Sequence, residues 1–179
     1  SASGFDSTAI GVNAIIEADA DNTVALGLDT LAKSTAKNSV VIGKGSKVAG
    51  ESSIAIGDSS QANGKQSISI GTKNIVNGDR SGAFGDPSII NGNNSYSVGN
   101  NNTINSDDTF VLGNGITANQ NGSVVLGLGS AAMTGAGVLG FGAAGNSAIM
   151  ATTSTTGSVA VGDAANGVYR QVTGVAAGT

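Results

Sequence analysis

Twelve carboxylates, eight Lys and Arg cations and a large set of hydroxyl and amide side chains are all that this 179-residue chain offers for chemistry; it has no His and no Cys. The absence of imidazole removes Ser-His-Asp triads, His metal sites and the commonest acid–base catalyst. The absence of Cys removes thiol nucleophiles, zinc ribbons and a disulfide framework. Asp19, Asp21, Asp107 and Asp108 come nearest to a calcium-ligating set. They fit neither an EF-hand loop nor the nonapeptide of calcium-binding rolls. Ser53, Ser67, Ser81, Ser95, Thr109 and Ser123 form a periodic hydroxyl row. Such a row reads either as a nucleophile or ice-binding array, or as a ladder in which each hydroxyl bonds its copy or a nearby backbone group. No Thr-x-Thr array repeats. The expectation is therefore no catalytic residue, no cofactor and no metal: the chain is not an enzyme.

The charges are zoned. Residues 1–32 hold five acids and no base; residues 33–80 hold Lys33, Lys37, Lys44, Lys47, Lys65, Lys73 and Arg80 against three acids; the remainder holds four acids and Arg170. The basic zone reads either as a polyanion-binding ring, for glycosaminoglycans or an acidic partner face, or as an unevenly charged solvated surface. The net charge of −4 argues against nucleic acid as a partner. No run of 18 apolar residues is present to form a membrane-spanning helix. Without an initiator Met or signal peptide, Ser1 is expected to begin a mature chain or an excised piece.

What positions these groups is a repeat. A phrase of hydroxyl, apolar, small, large apolar and Gly recurs as Ser39-Val40-Val41-Ile42-Gly43, Ser53-Ile54-Ala55-Ile56-Gly57 and Ser67-Ile68-Ser69-Ile70-Gly71, and continues to Ser123-Val124-Val125-Leu126-Gly127 and Ser158-Val159-Ala160-Val161-Gly162. Its anchor glycines step by 14 from Gly43 to Gly127, and by 16 from Gly11 through Gly27 to Gly43. Five places after the anchor stands an apolar residue such as Val48 or Val76; one further stands Asn in five successive repeats (Asn63 to Asn119), often followed by Gly. The Asn-Gly pairs predict a second corner at positive φ. Fourteen residues are too few for a strand–helix–strand unit. They suit one coil of a parallel β-solenoid, each strand pairing with its copy in the next coil, for about ten coils of 14–16 residues.

Ile54, Ile56 and Val48 are the large inward candidates of one coil, and Phe84, Tyr96 and Phe110, in register with them, read as core. The row between them is small: Ala25, Val41, Ala55, Ser69, Ala83, Ser97, Val111, Val125 and Ala160. A solvent-facing row would carry charged or long polar residues. This row is expected to be a subunit interface along the roll, the alternative being an interior too cramped for larger side chains. Between Gly127 and Gly162 the period fails. Gly142 is an expected anchor there, giving a 15-residue coil and a 20-residue coil with a bulge near 150–156.

The 14-residue phrases resemble the head repeats of trimeric autotransporter adhesins, the YadA-like family of Gram-negative bacteria. The C-terminal run Arg170, Gln171, Val172, Thr173, Gly174, Val175, Ala176, Ala177, Gly178, Thr179 is similar to the neck that follows such heads, with Gly174 where the neck usually has Asn. The resemblance implies an all-β, left-handed parallel β-roll assembled as a homotrimer, with a head over 1–162 (irregular over 128–161) and a neck segment over 163–179. It implies display on the bacterial cell surface at the outer membrane, anchored through other parts of the chain, and binding of host extracellular-matrix proteins or cell-surface receptors. It also gives 170–179 the role of clasping neighbouring chains. The rival readings are a passive spacer in a surface fibre and a left-handed acyltransferase solenoid. The latter has period six and a catalytic His, neither of which occurs here.

Overall fold

The computed structural model describes residues 1–176. Every strand is two or three residues long, and strands of like position stack in parallel into two sheets. One sheet has ten strands, running from Thr8–Ile10 to Val159–Ala160; the other has eight, from Ile15–Ile16 to Thr117–Ala118. The chain is thus an all-β parallel solenoid. Eight complete turns give one strand to each sheet, fewer than the ten coils expected. Register follows the repeat: Ala55 pairs with Val41 and Ser69, and Ala62 with Val48 and Val76. The 16-residue coils enter the same ladder, with Val24 beside Val40.

The small row faces inward. Ala25, Val41, Ala55, Ser69, Ala83, Ser97, Val111 and Val125 have no exposed surface on their own chain. Residues wholly covered by their own roll cannot touch a sister chain, so their assignment to an interface is corrected; Ala160, at the roll's end, is half-buried. The residues on either side of them point outward. Ile54 and Ile56 are only half-buried, Tyr96 likewise, and Phe84 and Phe110 are exposed; of the expected inward set, Val48 alone lies inside. The reason is width. Two sheets joined by corners of a few residues enclose a slot that takes Ala, Ser and Val from one side and Val48, Ala62 or Ile90 from the other. Packing at crystal-like density leaves no room for two large rows.

The corners are also rearranged. Positive φ falls two places after the anchor, at Ser59, Lys73 and Asn101, and five before it, at Ser52, Gln66, Arg80, Asn94 and Asp108. None of Asn63, Asn77, Asn91, Gly64 or Gly78 has positive φ. Gly64 is required for closeness instead: a Cβ there would overlap the carbonyl of Gly78 in the next rung. The anchor Gly57 needs both, with φ +136° and the Gly71 carbonyl where a Cβ would stand.

The hydroxyl row is a buried staple between rungs. Ser53 Oγ donates to the Gly64 carbonyl (2.8 Å) and accepts from the Ser67 N–H (3.1 Å); Ser81 does the same with Gly92 (2.8 Å) and Ser95 (3.0 Å). Ser39 and Ser95 make the same pair of bonds, fixing one corner to the next where the sheet ladders have stopped, whereas Ser67 Oγ donates within its own corner to Gly64 and Ser123 Oγ is buried without a partner.

After Leu126 the regular climb stops. Ala131 N–H still reaches the Gly162 carbonyl at 2.9 Å, and Val124 pairs with Val159, so the roll resumes after an excursion. The excursion holds one helical turn, Ser147–Met150, whose N-cap Asn146 accepts from Ala148 N–H at 3.1 Å. Gly142 anchors no coil: no strand forms at 128–158, and φ +74° there belongs to a turn within the excursion.

Candidate functional site

The outer face of the ten-stranded sheet follows from the same alternation that buries the small row. Its outward positions from Thr8 to Val159 carry no charge, and all except Thr8 and Gly82 are large and apolar, as in the successive pairs Ile54/Ile56, Ile68/Ile70 and Phe110/Leu112. Ile10 is 62% exposed, Leu112 50% and Phe110 44%. The Tyr96 and Phe110 rings lie 6.5 Å apart, and Gly82 makes room for Tyr96, since a Cβ there would stand 2.8 Å from the ring. A continuous apolar face of this length exceeds the scattered apolar residues of an ordinary surface.

The corner between the sheets carries amide ladders. Asn63, Asn77 and Asn91 each donate Nδ2–H to the next Asn Oδ1 at 2.8 Å, and Asn105 to Asn119 at 2.9 Å. Beside them, Asn93 Oδ1 accepts from Asp79 N–H (2.9 Å), Asp107 Oδ1 from Asn93 N–H (2.7 Å), and Asn121 Oδ1 from Asp107 N–H (3.0 Å). The recurrent Asn therefore ties rungs together rather than bending the chain. Its constant 14-residue spacing was the available signal.

The basic zone is not one patch. Lys37 and Lys65 stand in a column with Asp21, Glu51 and Asp79, so the signs alternate from rung to rung, and Arg80 is next to that column. Lys44 and Lys73 lie at the other corner; Lys33 and Lys47 project from the eight-stranded sheet side. Lys33 Nζ is 3.1 Å from Glu17 and Lys37 Nζ 3.5 Å from Asp21. The Ser34 backbone N–H, then the Lys33 ammonium, hold the Glu17 carboxyl below its usual pKa. Among the described residues, no group of three or more acids, His or Cys is placed to hold a metal ion.

Arg170 closes the roll's C-terminal end. Its guanidinium donates to Ser130 Oγ (2.8 Å), the Val161 carbonyl (2.7 Å) and the Leu128 carbonyl (2.5 Å). It lies over Gly127, where the next rung's glycine would otherwise stand. An always-charged planar fork suits several otherwise open carbonyls. Gln171, Val172, Thr173, Val175 and Ala176 are exposed on this single chain; 177–179 lie outside the described residues.

The YadA head domain repeat matches residues 2–30, 34–60, 49–74 and 62–86. A 56-residue stretch is 59% identical to the trimeric autotransporter adhesin AtaA of Acinetobacter sp. (strain Tol 5); it covers 28% of this chain and 2% of that much longer protein. The matched repeats are rungs of this solenoid within residues 2–86, and over them the chain is similar to the YadA-like heads of trimeric autotransporter adhesins.

Proposed function

We propose that three copies of this chain pack through the apolar outer face of the ten-stranded sheet into a rigid, non-catalytic head that adheres to host extracellular-matrix or cell-surface molecules. The observation that carries the assembly is the uncharged apolar face itself. It is too long to leave in water and flat enough to meet its own copies about an axis. The residues at the interface are then Ile54, Ile56, Tyr96, Phe110 and their register partners, in place of the buried alanines. The neck residues, from Arg170 onward, sit where the roll must pass to whatever follows; we assign them the clasp between neighbouring chains. The head stands on the bacterial surface, as its family does.

The mass in solution tests the assembly. Three times the 17.2 kDa chain mass is expected. Ile56→Glu and Phe110→Glu should lower it, because each puts a charge into an apolar contact. A single-chain mass for the unaltered protein overturns the proposal. Adhesion is tested by retention on immobilised matrix proteins and on heparin at two salt concentrations. Retention on matrix proteins is expected. Loss of heparin retention at high salt shows an electrostatic contact, and its loss at low salt in a variant with Lys44, Lys47, Lys65 and Lys73 replaced by Gln locates that contact in the 33–80 zone. No retention on any surface leaves the head as a spacer in the fibre.

A further inference from the structure

The interior of the roll is not continuous. Its buried apolar residues form two clusters, one from Ile16 to Ala62 and one from Val76 to Ala132. Between them lies the rung that contributes Ser67, Ser69 and Asn74, all fully buried. The neighbouring rungs place Ala55 and Ala83 where this one has Ser69. Ser69 Oγ is 2.7 Å from Ser60 Oγ of the preceding rung. Asn74 uses its amide N–H groups on the Ile70 and Gly85 carbonyls, yet its Oδ1 is buried without a partner. The second inward asparagine, Asn102, shows what is missing. Its Oδ1 accepts the Ile116 N–H of the next rung at 3.0 Å, and its Nδ2–H reaches Ser97 Oγ at 3.0 Å. At Asn74 the corresponding next-rung residue is Ser88, which follows Pro87, and no such bond forms.

We infer that this rung is a built-in seam, at which the roll opens into two cooperative halves before either half unfolds. In a solenoid each rung contacts only its neighbours, so stability is a sum of rung and interface contributions, and the weakest interface opens first. Ser123 Oγ is also buried without a partner, but inside the continuous apolar cluster that runs to Ala132; at the Ser69 rung an unsatisfied polar group coincides with the break in the apolar interior. The backbone ladders through Ile54, Ile68 and Gly82 continue across it, so opening is reversible by re-pairing in register.

Native-state hydrogen exchange on the whole chain tests this. The amides bonded into the seam rung, Gln61, Asn63 and Ile68 among them, should exchange at least about tenfold faster than those of the flanking blocks, and each block should exchange as a unit. The double variant Ser69→Ala, Asn74→Ser makes the rung match its neighbours and should remove that difference. Ser69→Ala alone should reduce it, and serves if the double variant does not fold. Uniform protection across 40–126 in the unaltered protein, or a seam whose exchange neither variant slows, overturns the inference. Either result leaves the solution mass and adhesion of the head as separate questions.

Discussion

The regular rungs up to residue 126 and the excursion over 128–158 use nearly the same residue types for opposite ends. In the rungs, Gly, Ser and Ala recur at fixed places and almost every one is buried or bonded to the next rung. In the excursion they recur without period. Gly137 and Gly145 have no atom within 4 Å of a would-be Cβ, and Phe141 is fully exposed. The previous rung goes from Ala118 to Ser123 through four residues, whereas the last one takes 25 residues to go from Ala132 to Ser158. Small residues are therefore not flexible or rigid in themselves. Stacking beneath an identical rung confines them, because each then meets a neighbour's carbonyl or hydroxyl. Where the period fails, as at Gly137 and Gly145, no such neighbour is in place.

The largest expected contrast is between glycines. Gly57→Val should destabilise the roll by about 3 kcal/mol or more, since it forces a branched side chain into positive φ and against the next rung's carbonyl. Gly145→Ala should cost only about 1–2 kcal/mol from its φ of +77°, with no clash. Urea midpoints of the two variants decide; equal shifts would remove the distinction between the regions.

Next come the hydroxyls. Ser81→Ala leaves the Gly92 carbonyl and the Ser95 N–H without their partner inside the roll, at about 1–3 kcal/mol. Ser154→Ala removes an exposed contact to Val138 N–H at 3.2 Å, and should shift stability by about 0.5 kcal/mol or less. Thermal melts of both variants order them.

Replacing 133–157 by Asn-Gln-Asn-Gly, the sequence of the preceding rung's corner, should leave the strand content unchanged by circular dichroism and the melting temperature within a few degrees, because loop length enters stability only weakly. Loss of the fold would show that the excursion supports the roll.

The smallest effect is electrostatic. Glu17 has a folded pKa below its unfolded value, so its contribution is present above the unfolded pKa and is lost as pH falls through the folded one. Glu17→Gln should therefore lower stability slightly at neutral pH and flatten the acid limb of a melting-temperature profile. An unchanged acid limb would remove Glu17 from the balance.

The steps of 14 and 16 residues announced a parallel solenoid with its rung register, and the failure of period after Gly127 announced the break. The alternation of Ile54, Ala55 and Ile56 also showed that neighbours face opposite ways. It did not show which way is inside. Large apolar side chains ordinarily fill a core, and that rule fails here because the slot between the sheets is too narrow for two rows of them. The parity of the small buried positions, Ser53 with Ala55 and Ser60 with Ala62, was a usable sign. Arg170 over Gly127 is 43 positions away in the chain, and its bonds to Leu128, Ser130 and Val161 depend on how the last rung closes. The repeat alone thus determined what stacks on what, since identical rungs have one best register. The distance between the two sheets, which no short-range pattern encodes, decided what lies inside and what faces out.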